Sequence, residues 1–83
     1  MNQTKAASHI REVLIERGFD IPTRRMTVGD NQQWLVFERR GRQVAIDQAS
    51  GIWLRKSKSS EWRSTGAHTT SGTFMAVDFL TKG

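Results

Sequence analysis

The stretch WLVFERRGRQVAID, residues 34–47, is where the hydrophobic period of the chain changes to two. Leu35 and Phe37 alternate with Trp34, Val36 and Glu38, and after Arg40-Gly41 the residues Val44 and Ile46 alternate with Gln43, Ala45 and Asp47. A two-residue turn at Arg40-Gly41 pairs Phe37 with Val44 and Leu35 with Ile46, so four apolar side chains share one face. The next turn, Gln48 to Ile52, contains Gly51, which suits the left-handed third position of a loop Ala49-Ser50-Gly51. With that loop Ile52 and Leu54 join the same face, whereas an even-length loop would turn both away from it. Antiparallel strands are therefore predicted near 34–39, 42–47 and 52–56.

The opposite face follows from the same register. Trp34, Asp47 and Trp53 form one cross-strand row, with Val36, Ala45 and Arg55 in the next. Such a face is too polar for a second full core and too aromatic for an ordinary solvated surface. Beyond it Lys56, Lys58 and Arg63 surround the serine-rich turn Ser57 to Ser60, and Glu61 to Ser64 offers a fourth short strand carrying Trp62.

Before this sheet, residues 4–17 read as an amphipathic helix with Ala7, Ile10, Val13 and Leu14 on one side. Gly18 supplies a left-handed C-cap, Phe19 packs back on Leu14, and Pro22 prevents a restart. The segment Asp20 to Gln33 reads mainly as loop, with Arg24 to Val28 as a short edge strand at most. After the sheet, Gly66 to Gly72 reads as a small polar loop, and residues 73–81 as a short helix begun by Thr70 or Ser71. The expected fold is a single α+β domain spanning residues 1–83. It has an N-terminal helix, an antiparallel sheet of three strands extendable to four, and a short C-terminal helix, in the order αβββα.

That order resembles the double-stranded RNA-binding domain and the small RNA-cleaving toxins of the HicA type over most of the chain. The resemblance is one of topology and not of motif. The first family places a lysine-rich N-terminus on its last helix, where this chain has Thr70-Ser71-Gly72-Thr73. The second carries a histidine near its first strands, where Trp34 to Ile46 has none. No family is assigned on this basis.

Composition bounds the function. At 83 residues the chain supports one modest core and no deep cleft with its own supporting shell. No apolar run approaches the ~20 residues of a membrane span, and the start MNQTKAASHIRE lacks the apolar middle of a signal peptide, so a cytoplasmic location without membrane attachment is expected. Without cysteine, and with only His9 and His68, neither a metal site nor another cofactor is expected. Catalysis lacks a motif. His68, between Ala67 and Thr69, is the one residue worth weighing as a general base, and nothing in the sequence orients it.

What remains is charge. The formal net charge is +5 and the pI about 10.8. Seven of the thirteen basic residues and all three tryptophans lie between Trp34 and Arg63, where only Glu38, Asp47 and Glu61 offset them. Guanidinium groups beside flat aromatic faces suit phosphates and bases. The leading expectation is a nucleic-acid-binding module, DNA or RNA undetermined, with Arg39, Arg40 and Arg42 at the hairpin tip and Arg55, Lys56, Lys58 and Arg63 as phosphate contacts. Trp53 would be its stacking surface. The alternative is a protein-interaction or homodimerisation module using the Trp34, Val36 and Trp53 face. Nine arginines to four lysines suit either.

Overall fold

The computed structural model describes residues 2–68 and 70–82, with the side chains of His68, Thr70 and Ser71 outside the described set. Its elements run α1 (Gln3–Glu16), β1 (Arg24–Val28), β2 (Gln32–Arg39), β3 (Arg42–Ile46), β4 (Gly51–Arg55), β5 (Arg63–His68) and α2 (Thr70–Thr81). The five strands form one antiparallel meander in the order β1-β2-β3-β4-β5. The α+β class and the flanking helices agree with the sequence reading; the strand count does not, because β1 and β5 are full members of the sheet.

The predicted hairpin is present in register, Phe37 opposite Val44 and Leu35 opposite Ile46. Its turn puts Arg40 at φ 52° and Gly41 at φ 81°, the two positive values that a type I′ turn requires. The following hairpin differs in detail. Ile46 faces Ile52 and Val44 faces Leu54, so the loop is Gln48-Ala49-Ser50, one residue earlier than expected. The loop still has three residues, so Ile52 and Leu54 keep their core face, but Trp53 lies opposite Ala45 and not Asp47.

The reason is the Asp47 carboxylate. It curls over the turn and accepts from the Ala49 and Gly51 amides at 2.9 and 2.8 Å. Ser50 takes the left-handed conformation at φ 67°. Gly51 is needed for space: a Cβ there would stand 2.7 Å from Asp47 Oδ2.

Both helices cover one face of the sheet. Ile10 and Leu14 of α1, and Ala76, Val77 and Leu80 of α2, pack on Phe37, Val44, Ile46 and Ile52. Asn2 caps α1 by accepting from the Lys5 amide. Gln3 Nε2 ties this end to the sheet through the carbonyls of Gln33 and Ile46, each at 2.8 Å. At the other end the Gly18 amide donates to Ile15 and the Phe19 amide to Leu14, the paired bonds of a Schellman motif.

Of the loop expected over 66–72, residues 66–68 instead end β5 and residues 70–72 begin α2, while Thr69 lies outside the described residues. Thr65 holds β5 in place by donating to the Ile52 carbonyl at 2.9 Å. Among the described residues no helix is long and apolar enough to cross a membrane.

Candidate nucleic-acid interface

The face turned away from the helices is built on Ala45. Val36, Ala45 and Trp53 lie in one cross-strand row, with Arg24 beyond Val36 and Ser64 beyond Trp53. Because Ala45 is small, the rings of Trp34 and Trp53 close over it, stacked at 5.2 Å between centroids and 28° between planes. Trp62, on the loop between β4 and β5, meets Trp34 edge-on at 5.9 Å. The indole nitrogens are also engaged, Trp53 Nε1 donating to Asp47 Oδ2 at 2.8 Å and Trp34 Nε1 to Gln32 Oε1 at 3.3 Å. With Met26 and Val28 these rings form a second, smaller core in which Trp34 is 6% and Val36 1% exposed.

A polar row crosses four strands beside this core. Arg24 Nη2 on β1 donates to Glu38 Oε1 on β2 at 2.8 Å, and Gln43 Nε2 on β3 donates to the same oxygen at 2.6 Å. Arg55 Nε on β4 donates to Gln43 Oε1, while its guanidinium carbon lies 4.2 Å from the centre of the Trp62 ring. Gln43 is buried, and the row engages both ends of its amide. The Gln43 hydrogen bond, with the charges of Lys58 and Arg24, holds the Glu38 carboxyl below its ordinary range against an opposing effect of burial.

Above the row lies a cleft of about 270 Å³ lined by Arg24, Arg25, Met26, Val36, Gln43, Arg55 and Lys58. Its side-chain cations are Arg24 of β1, Arg55 of β4 and Lys58 of the loop that carries Trp62, and the ordered row beneath fixes Arg24 and Arg55. Arg25, opposite Leu35, has the parity of the helix side and also lines an opening beside α1. Such an arrangement can hold an anion in fixed geometry, because an arginine already braced by one hydrogen bond loses less freedom when a phosphate binds its remaining donors.

The eight residues singled out in the sequence are divided among separate places. Arg55 and Lys58 line this cleft. Arg39 and Arg42 have the parity of Phe37 and Val44 and reach the end of α2. Arg39 Nη1 donates to the Leu80 carbonyl at 3.1 Å, and Arg42 Nη1 to the carbonyls of Phe79 and Lys82 at 3.3 and 2.6 Å. Their guanidinium groups also rest on the rings of Phe19 and Phe79. These two arginines therefore cap the C-terminus of α2, where a positive charge is favoured. Arg40 stays exposed at the turn. Lys56 and Arg63 line a different cleft beside α2. Trp53 belongs to the second core, and the His68 side chain lies outside the described residues.

Arg24 was missed. The available signal was the strand pairing: once β1 pairs with β2 across Gly29-Asp30-Asn31, Arg24 must fall beside Val36 on the tryptophan face and Arg25 beside Leu35 on the other. Among the described residues no group of three or more histidine, aspartate or glutamate side chains is placed to hold a metal ion. No protein-family model matches the chain, and neither a curated protein nor a solved structure matches it.

Proposed function

We propose that the protein is a small nucleic-acid-binding module that grips the phosphate backbone with the basic cleft of its open sheet face. The observation that carries this reading is the convergence of Arg24, Arg55 and Lys58 on one cleft, with Arg24 and Arg55 braced through Glu38 and Gln43. Phosphate recognition requires fixed donors and positive charge, and both are concentrated there.

The tryptophans take a supporting part. Trp34 and Trp53 stack on each other and Trp62 carries Arg55, so the rings, Trp34 buried and Trp53 and Trp62 half-buried, serve mainly as a platform beneath the cations. This burial favours backbone contact over base stacking. It also removes support from the protein-interaction reading of the same face, since Trp34 and Val36 are covered from within the chain.

The test is an NMR titration of the labelled protein with duplex and single-stranded DNA and RNA oligonucleotides at low salt. Arginine side-chain signals of Arg24 and Arg55 should move first, with the Trp62 indole following through its contact with Arg55. Movement confined to Arg40 and its neighbours, or no movement with any oligonucleotide, would contradict the proposal.

A further inference from the structure

α2 lies over β3 and β4 and reaches β5 at the edge of the sheet. On the helix side, where β4 meets β5, a cleft of about 590 Å³ runs between the strands and α2, lined in part by Leu54, Thr65, Met75 and Phe79. A second opening of about 450 Å³ shares Leu54, Met75 and Phe79 and continues to Asp78 and Lys82. The strip stays open because β5 reads Arg-Ser-Thr-Gly-Ala-His and offers α2 little apolar surface to pack on.

The floor of this groove is apolar and open to solvent. Leu54 and Phe79 are half-buried and Met75 is 46% exposed. The rim is basic, with Lys56 and Arg63 against Glu61, and Lys82 at the far end. Asp78, the other acidic group there, is already paired with Arg17 at 2.7 Å. β5 is also the last strand of the sheet, so its outer edge runs alongside the groove.

Exposed Met75 beside the half-buried Leu54 and Phe79 calls for large apolar side chains, and the cationic rim calls for carboxylates. A nucleic-acid backbone supplies the charge without the apolar groups. A bilayer meets protruding residues better than a concave floor. We infer that this groove docks a partner protein through an acidic segment bearing leucine or phenylalanine anchors, independently of the nucleic-acid cleft on the opposite face.

The experiment uses the full chain and a dye-labelled twelve-residue peptide alternating Asp or Glu with Leu or Phe, followed by fluorescence anisotropy. Two control peptides replace either the apolar residues with serine or the acids with lysine. The alternating peptide should bind with a dissociation constant of about 1 to 100 μM, and each control at least about tenfold more weakly. Met75→Glu and Lys56→Glu, both at exposed positions, should each weaken it at least about tenfold while far-UV circular dichroism stays that of the parent. Arg24→Ala, on the other face, should leave it unchanged. Binding insensitive to Met75→Glu, or no saturation by about 1 mM, overturns the inference. So does finding that peptide binding is absent while Met75→Glu abolishes a dimer seen on sedimentation or binding to phosphatidylserine vesicles.

Discussion

Replacing Trp34 with alanine separates a tryptophan that holds the sheet from one that waits for a ligand. Trp34 is 6% exposed, packed against Trp53 at 5.2 Å and Trp62 at 5.9 Å. A tryptophan buried to that extent withdraws roughly 200 Å² from water, worth about 5 kcal/mol at 25 cal/mol per Å². An unfolded chain already partly compact lowers this, so a loss of about 3 to 5 kcal/mol is expected. For a domain whose whole stability is of order 5 to 15 kcal/mol, that is a large fraction, and the melting temperature should fall by at least about 12 °C. Urea unfolding followed by far-UV circular dichroism measures it, with Trp34→Phe as the control that restores much of the loss. A Trp34→Ala variant within about 1 kcal/mol of the parent would refute the reasoning: the ring would then contribute little to the fold, and a stacking role would regain its claim.

Two further outcomes follow from the polar contacts. Glu38→Gln should flatten the acid limb of the stability profile. A carboxyl whose folded pKa is lowered contributes stability above its unfolded pKa and loses it as pH falls through the folded value, so parent and variant should diverge at neutral pH and converge in acid. Because Glu38 braces Arg24, the substitution should also weaken oligonucleotide binding; tighter binding would show that the carboxylate competes with phosphate for Arg24 and does not position it. Arg42→Ala should cost about 1 to 2 kcal/mol in a thermal melt by uncapping α2, while leaving oligonucleotide affinity nearly unchanged once the protein is folded. A selective loss of binding without loss of stability would return Arg42 to the interface.

The central hairpin was legible because its signals agree: period-two alternation, a turn with a glycine at its second position, and matching parity all fix Phe37 opposite Val44. Parity also preserved the core face of Ile52 and Leu54 although the β3–β4 loop sits one residue earlier, because the loop keeps its three residues. What moved it was the Asp47 carboxylate closing over Gly51, a side-chain effect that alternation does not encode. The outer strands were harder to read for a different reason. Arg-Arg-Met-Thr-Val and Arg-Ser-Thr-Gly-Ala-His have few apolar residues, and they become strands by pairing with β2 and β4.

The candidate site suffered from the same blindness. Charge density along the chain pointed at the hairpin tip, yet Arg39 and Arg42 share the face of Phe37 and Val44 and are drawn to the α2 carbonyls. Arg24 looked remote from Arg55 until three strand pairings placed both on one polar row.

The most direct test of phosphate binding by the open face is the salt dependence of affinity for a labelled duplex, compared between the parent and the double variant Arg24→Ala, Lys58→Ala. Each lost phosphate contact should reduce the slope of log K against log salt by about 0.9, so the variant should be flatter by roughly 1 to 2 while its circular dichroism is unchanged. An equal slope in parent and variant, or a parent with no salt-dependent binding to DNA or RNA, would contradict the account.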